Sequence, residues 1–471
     1  MNNALSDFRP GNNLHAMNVE QLPFLPGPPW SRLHAQSSGF VLVGMGFVIG
    51  LLGAALPRAD AAELRAGFGV ADISPDTTKH LVQLGGYGER NGKPALGIHD
   101  RTMAKAIVFS QGDRKFALLT LDLLGATRSL REEILKRMAG SGIVSENLLL
   151  AASHSHGSLE MNAMHRGNKF NNPHLGVFSE AMLQFTADRA ASALQQACGK
   201  SVPVKAGTGA RLIPGFNRNR RGGTLTDNEM TILRLDGLDG KPLAVWVNYT
   251  AHPTFMSEKD FYLSADWPGY LQRELEAFLP GTIALYANGA EGDVAPKGGE
   301  GPSSYARAED YGRKIAIQAL ELIPKIKTAP DARLDFSMTM AQLPPRAIPP
   351  GLADAAGPEY GLTPENLKAL LEGMSPTDTF VPSLRVGDFV AVGIPGEMIS
   401  QLGLQIKDTL RQAGAPHPVI IGLANEWISY MLSPEEFHKG GYEPGVSFYG
   451  ETLGPFMVEQ GIASGKKMLK P

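Results

Sequence analysis

The stretch "LLLAASHSHGSLEM" occupies Leu148–Met161. Its first half is a short uncharged run of leucine and alanine, and it stops at two histidines one residue apart, His154 and His156, followed by Gly157. A run of strand length that is apolar at every position fits a strand covered on both faces, which is the pattern of an α/β sheet. The two imidazoles at its end are either polar residues capping a buried strand or donors to a metal. On an extended chain residues two apart share a face, so both rings are expected to look into one crevice.

Similar runs recur along the chain: "KFALLTLDLLG" (115–125), "LAVWVNYTA" (243–251), "TIALYANG" (282–289), "DFVAVGIPG" (388–396) and "PVIIGLAN" (418–425). Amphipathic stretches of helical period alternate with them, at 129–139, 179–197, 305–323 and 398–413. The expectation is an α/β fold, a mixed β-sheet core flanked by helices, with the site at the ends of the strands. The segment "LPPRAIPPGLADAAGPEYG" (343–361) is rich in Pro and Gly and is expected to be an irregular surface connection.

Most of the apolar runs end in polar residues. His252 follows one, in "HPTFM"; Glu291 and Asp293 follow another, in "EGDVAP"; Glu397 follows "IPG"; Asn425 and Tyr430 follow the last. Loops at the carboxyl ends of strands in an open α/β sheet converge on one crevice. His154, His156, His252 and Glu397 are suitable donors for zinc, and an open position on such an ion activates water. Each has a plainer explanation too. A histidine such as His252 can be a satisfied core residue, Glu397 can favour the first turn of the following helix, and Asp293 can be a turn residue. Spacing alone does not name the ligands. The chain has no HExxH, no GxSxG elbow, no P-loop and no GxGxxG loop opening a helix.

Composition narrows the partners. The chain has 471 residues, 43% hydrophobic, with a formal charge of −3, which gives no basic face for nucleic acid. A single cysteine, Cys198, excludes an intrachain disulfide and a cysteine-based zinc knuckle. Residues 1–38 form a polar, Pro-rich leader, and Met17 is an alternative start. Residues 39–56 are uncharged and apolar, and "ADA" follows at 59–61, the order of a secretory signal or of an uncleaved membrane anchor across 39–61. The body, 62–471, is therefore expected to be exported, to a periplasm or outside the cell, and to stay at the membrane if 39–56 is retained.

Ten short motifs then occur in order between about residues 66 and 456: "GVADISP" (69–75), "GIHDR" (97–101), "ASHSHG" (152–157), "FNRNR" (216–220), "DNEM" (227–230), "AHPTFM" (251–256), "GDVAP" (292–296), "IPGE" (394–397), "LANEWISYMLSPEEF" (423–437) and "GYE" (441–443). The set resembles the catalytic domain of the neutral/alkaline non-lysosomal ceramidases. That resemblance implies a zinc-dependent amidase acting on a lipid-like substrate, cleaving a fatty acid from sphingosine in ceramide. It implies zinc ligation by His154, His252, Glu397 and Tyr430, and a catalytic part for His156. Arg218 and Tyr442 match positions that line the family's site, His99 is placed in the same pocket, and Asp293 is expected to orient a ligand or His156. Three departures accompany the resemblance. Ala295 stands where the family carries a serine, Trp427 stands where it usually carries a tyrosine, and no C-terminal β-sandwich domain is expected. They leave open another amide or ester substrate, or a ligand-binding relative without catalysis.

Overall fold

Two sheets lie face to face, with helices on both outer surfaces. The computed structural model describes residues 62–352 and 356–470. The leader (1–38), the alternative start at Met17 and the signal-or-anchor segment (39–61) lie outside the described residues. Among the described residues, no helix is long and apolar enough to cross a membrane.

The larger sheet has eight strands, in the spatial order Ile283–Ala287, Pro242–Asn248, Glu229–Gly237, Ser201–Leu212, Arg65–Asp72, Met103–Gln111, Arg114–Leu121 and Leu148–Ala152. Its two outermost pairs are parallel and its interior pairs antiparallel. The smaller sheet has four strands, Leu334–Gln342, Asp378–Val386, Phe389–Gly393 and His417–Ile421, the last two parallel.

The runs read from sequence as strands are all strands, but what covers them differs from the expectation of helices on both sides. Helices Arg128–Arg137 and Glu180–Gly199 cover one half of the outer face of the large sheet, and Asp266–Phe278 and Ser304–Leu322 the other half. Its inner face packs on the small sheet through a shared core that includes Phe109, Leu118, Trp246, Leu285, Phe389 and Ile421. Trp246 and Phe389 meet across the sheets with ring centroids 5.0 Å apart. Such a pair adds about 0.5–1.5 kcal/mol to the burial of its area. Helices Ser400–Gln412 and Leu453–Lys467 close the outer face of the small sheet.

Close layers need small residues. A Cβ at Gly67 or Gly69 of the strand Arg65–Asp72 would overlap the carbonyl oxygens of Ala197 and Ala193 on the helix Glu180–Gly199, whose buried face is mostly alanine. The helices start where hydroxyl caps stand: Thr127, Ser179 and Ser303 accept hydrogen bonds from the amides of Leu130, Met182 and Ala306.

The segment 343–361 corrects the expectation in part. Ala356–Tyr360 is a short helix, and Leu352 and Ala356 are buried in the core beside the small sheet.

The large sheet curls. Lys105 on the strand Met103–Gln111 reaches the far edge, where its Nζ donates to the Ala284 carbonyl at 2.8 Å. Curling brings the carboxyl ends of the two edge strands onto one rim. There the buried Asn288 donates through Nδ2 to Ser153 O (3.3 Å) and Ala251 O (3.0 Å). Asn248 ties that rim to the other sheet, its Nδ2 donating to Ala287 O, Asn288 O and Ile420 O at 3.1, 3.2 and 2.8 Å.

Candidate metal centre

Each donor at the rim is delivered by a strand end. His252, Glu291 and Glu397 each come four residues after the last residue of their strand, Asn248, Ala287 and Gly393. His154 comes two residues after Ala152. It is not on the strand, so alternation along a strand is not what brings it together with His156. His154 has φ +72°, a left-handed conformation that turns the chain and aims the two rings at each other. Their Nε2 atoms lie 3.3 Å apart. The turn is held by Arg90, a buried guanidinium that donates to His156 O and Ser257 O, both at 2.7 Å.

Glu397 and Tyr430 arrive together for a backbone reason. The two-residue strands Glu397–Met398 and Tyr430–Met431 pair in parallel, with Glu397 opposite Tyr430.

Four side chains meet. His252 Nε2 is 3.0 Å and His154 Nε2 3.3 Å from Glu397 Oε2, and the Tyr430 hydroxyl is 3.5 Å from His252 Nε2. Four donors at about 2.1 Å from one ion, arranged as a tetrahedron, lie about 3.4 Å from each other, so the residues present fit a zinc-sized cation. The outer nitrogens fit as well. His154 Nδ1 donates to Leu124 O at 2.7 Å and His252 Nδ1 to Val294 O at 3.1 Å, which leaves each Nε2 lone pair facing the cluster. His156 differs, since its Nδ1 is buried without a partner.

Burial and mutual charge set the protonation of the metal-free cluster. Burial, with the neighbouring histidines, holds His156 well below the usual histidine range. Burial and the nearby Arg220 bring His252 down to about 4. Burial opposes ionisation of Glu397, but the two imidazoles beside it outweigh that cost and hold its carboxyl well below the usual range. Tyr430 is pushed well above the usual tyrosine value by burial and by Glu397. Neutral imidazoles and a carboxylate are the forms a cation binds.

Three expected residues are placed elsewhere. Arg218 is exposed, on a strand whose backbone pairs it with Ala295, and makes no hydrogen bond to the cluster. Arg220 is the arginine at the site: its Nη2 donates to the Tyr430 hydroxyl and to Gly292 O at 2.9 Å each, and its Nε to Glu443 Oε1 at 2.9 Å. His99 stacks on Tyr305 at 4.1 Å and contacts Asp100, apart from the cluster. Asp293 touches neither a histidine nor Glu397. Its Oδ1 accepts from the Ser400 amide at 2.7 Å, at the start of helix Ser400–Gln412, and its Oδ2 from Asn219 Nδ2 at 2.6 Å. The loop does orient His252, but through the Val294 carbonyl, which accepts from both its amide and its Nδ1. Tyr442 is at the site, its hydroxyl 3.0 Å from that of Tyr360.

Sequence reasoning missed the parts played by Trp427, Arg220 and Asn288. Trp427, in the sequence a departure from the family's usual tyrosine, donates its Nε1 to Glu397 Oε1 at 2.8 Å and fixes the carboxylate. Glu291 has an offset from its strand that matches those of His252 and Glu397, a signal visible in the sequence. It is fully buried, and neither carboxylate oxygen has a hydrogen-bond partner.

The cluster forms part of the wall of a cavity of about 120 Å³ whose other walls are mainly apolar, among them Leu124, Leu370, Met374, Ile428 and Phe448. A polar cluster beside an apolar cavity suits a substrate with one polar reacting group and a hydrocarbon part.

Comparison with known proteins points the same way. The family model described as neutral/alkaline non-lysosomal ceramidase, N-terminal, matches residues 64–306. The neutral ceramidase of Pseudomonas aeruginosa is 26% identical over 85% of this chain and 71% of its own length. That of Mycobacterium tuberculosis is 22% identical over 82% of this chain and 74% of its own. The solved structure of the Pseudomonas aeruginosa neutral ceramidase shares the fold, with a TM-score of 0.74 and 21% identity, covering 87% of this chain and 75% of that one. So does a ceramidase complexed with C2, with a TM-score of 0.70 and 20% identity, covering 86% of this chain and 75% of that one.

Proposed function

The chain belongs to the neutral/alkaline non-lysosomal ceramidase family, and from that premise we propose that it is a zinc-dependent hydrolase cleaving an N-acyl amide bond of a ceramide-like lipid with water. The observation that carries this reading is the meeting of His154, His252, Glu397 and Tyr430 at mutual distances of 3.0 to 3.5 Å beside an apolar cavity.

Those four residues would hold the ion. Bound there, zinc supplies a Lewis acid that acidifies water and polarises an amide carbonyl. The apolar wall takes the hydrocarbon chain and sets the amide against the cluster. His156, neutral, accepts the proton of the attacking water at the Nε2 that faces the cluster and returns it to the leaving amine, so that water and amide become carboxylic acid and amine. Tyr442 offers its hydroxyl to the oxyanion that develops on the carbonyl. Arg220 donates to the Tyr430 oxygen and would balance the charge left there once a bound ion draws off the phenol proton. Ala295 has no hydroxyl, so a covalent acyl-enzyme at that position is not part of the scheme.

The departures at Ala295 and Trp427 favour a second reading of the same centre, the hydrolysis of other N-acyl amides or esters. One experiment covers both. Purified protein is assayed for bound metal, then for turnover of an N-acyl-sphingosine and of simple N-acyl amides and esters, beside His154→Ala. Zinc at one per chain and turnover lost in His154→Ala are expected. A folded wild-type protein that neither carries nor takes up zinc sinks the reading, and turnover of the simple substrates alone selects the second.

A further inference from the structure

Glu291 stands beside His154 and Glu397 and has no part in the scheme above. It is 0% exposed, and both of its oxygens lack a hydrogen-bond partner. Its carboxylate, a nitrogen of His154 and a carboxylate oxygen of Glu397 all lie within 4.8 Å of one another. Its strand ends the way the strands delivering His252 and Glu397 end, four residues earlier.

The surroundings offer no other partner. On one side stands Gly422, where a Cβ would come within 2.5 Å of Glu291 Oε2 and overlap the Gly289 carbonyl, an acceptor itself. Glu397 cannot serve, because Oε1 already accepts from Trp427 and Oε2 faces two imidazoles. The guanidinium of Arg220 is taken up by Glu443, Tyr430 and Gly292. Two neighbouring buried carboxylates repel, and a buried charge without a partner is strongly disfavoured. A divalent cation meets both demands at once, because it needs acceptor oxygens and supplies positive charge.

We propose that Glu291 is a second carboxylate donor of the metal centre, binding the same ion as His154 and Glu397. The inference rests on the metal-binding reading given above. It makes the centre richer in oxygen than a two-histidine, one-carboxylate, one-phenol set, and Glu291 completes the ion's surroundings on the side of the large sheet.

The test uses the full chain stripped of metal with a chelator. Zinc and, separately, cobalt are titrated into wild type, Glu291→Gln and Glu397→Gln, with affinity, the cobalt absorption spectrum and thermal melting as readouts. Glu291→Gln keeps the shape of the side chain and loses its charge. The expected result is a zinc affinity weakened by about tenfold or more. The cobalt spectrum should shift toward the stronger absorption of a four-coordinate ion. The metal-free variant should melt no lower than metal-free wild type, because an unpaired buried acid is gone, while the rise in melting temperature on adding zinc shrinks. If Glu291→Gln does not fold, Glu291→Ala is read in the same way. Wild-type affinity and an unchanged spectrum in the variant overturn this inference alone. A wild type that binds neither metal overturns it together with the metal reading beneath it.

Discussion

The two sheets contribute different chemistry to one rim. The eight-stranded sheet brings the imidazoles, His154 and His252, and Glu291 with them; the four-stranded sheet brings the carboxylate and phenol of Glu397 and Tyr430. The imidazoles are fixed within their own layer, by the carbonyls of Leu124 and Val294. The carboxylate is fixed by Trp427 of its own layer, but the phenol is fixed by Arg220, which belongs to a loop of the larger sheet. Neither sheet holds a complete donor set. The centre therefore exists only when the sheets are docked, and an ion bound there would act as a polar clamp beside the ties that Asn248 and Asp293 make across the same seam. Breaking the seam at different points should give effects of graded size.

The largest effect is expected at Glu397, the carboxylate that the Nε2 atoms of His154 and His252 both face. Glu397→Gln keeps the hydrogen bond from Trp427 possible but removes the charge, so metal content should fall to background and turnover with it. Chelating wild type should lower its melting temperature, as removal of any ligand specific to the folded state does. Chelating Glu397→Gln should not. A melting temperature that responds to chelator equally in both proteins would show that the ion sits elsewhere.

The polar tie between sheets comes next. Asn248→Ala removes an amide whose two N–H groups are shared among the carbonyls of Ala287, Asn288 and Ile420, of which that of Asn288 keeps the Gly422 amide as a donor. At roughly 1 kcal/mol for each of its two donated bonds, the loss is about 2 kcal/mol in urea unfolding. Because the rim itself is displaced, zinc affinity should fall as well. Loss of stability with untouched affinity would mean the donors are placed without this tie.

Trp427→Phe asks less. The ring packing is kept and only the hydrogen bond to Glu397 Oε1 is lost. Partners of metal-binding carboxylates of this kind commonly change affinity by about 10 to 100-fold. The lower end is expected here, read as a weakened zinc affinity with a nearly unchanged melting curve for the metal-free protein.

The contrast between layers also explains what could be read from the sequence. The strand ends were legible because an apolar run that stops at His, Glu or Tyr is visible without coordinates. What covers a strand is not: a face packed on a sheet and a face packed on a helix are equally apolar, so the second sheet stayed hidden inside runs assigned to one core. The helix Asp266–Phe278 is masked in the sequence by Pro268 and Gly269 in its first turn. The helix Leu453–Lys467 is masked by three glycines, two of which, Gly461 and Gly465, lie against Ile406, Leu410 and Val392. In "FNRNRR" the sequence carries no phase, so Arg218 and Arg220 were indistinguishable until the pairing of Asn217–Asn219 with Val294–Pro296 fixed which one is exposed. Glu291 carries the same offset signal as Glu397, but the motif "EGDVAP" draws the reading to Asp293, for which a turn is the plainer explanation.

Asp293 offers the smallest effect and the finest discrimination. The residue before helix Ser400–Gln412 is Ile399, which has no side-chain oxygen to cap it, and Asp293 supplies one from another layer at 2.7 Å from the Ser400 amide. If that is its work, Asp293→Ala should cost about 1 kcal/mol of stability, the usual loss for a missing N-cap. Asp293→Asn, which keeps an acceptor oxygen, should recover most of it. Zinc affinity should stay within about twofold of wild type in both, because His252 is held by the Val294 carbonyl and not by the carboxylate. A carboxylate that orients a ligand predicts the reverse: affinity reduced by about tenfold or more in both variants, since neither keeps the charge, with little change in the stability of the metal-free protein. The pair of measurements therefore separates a cap that joins the two sheets from a member of the metal centre.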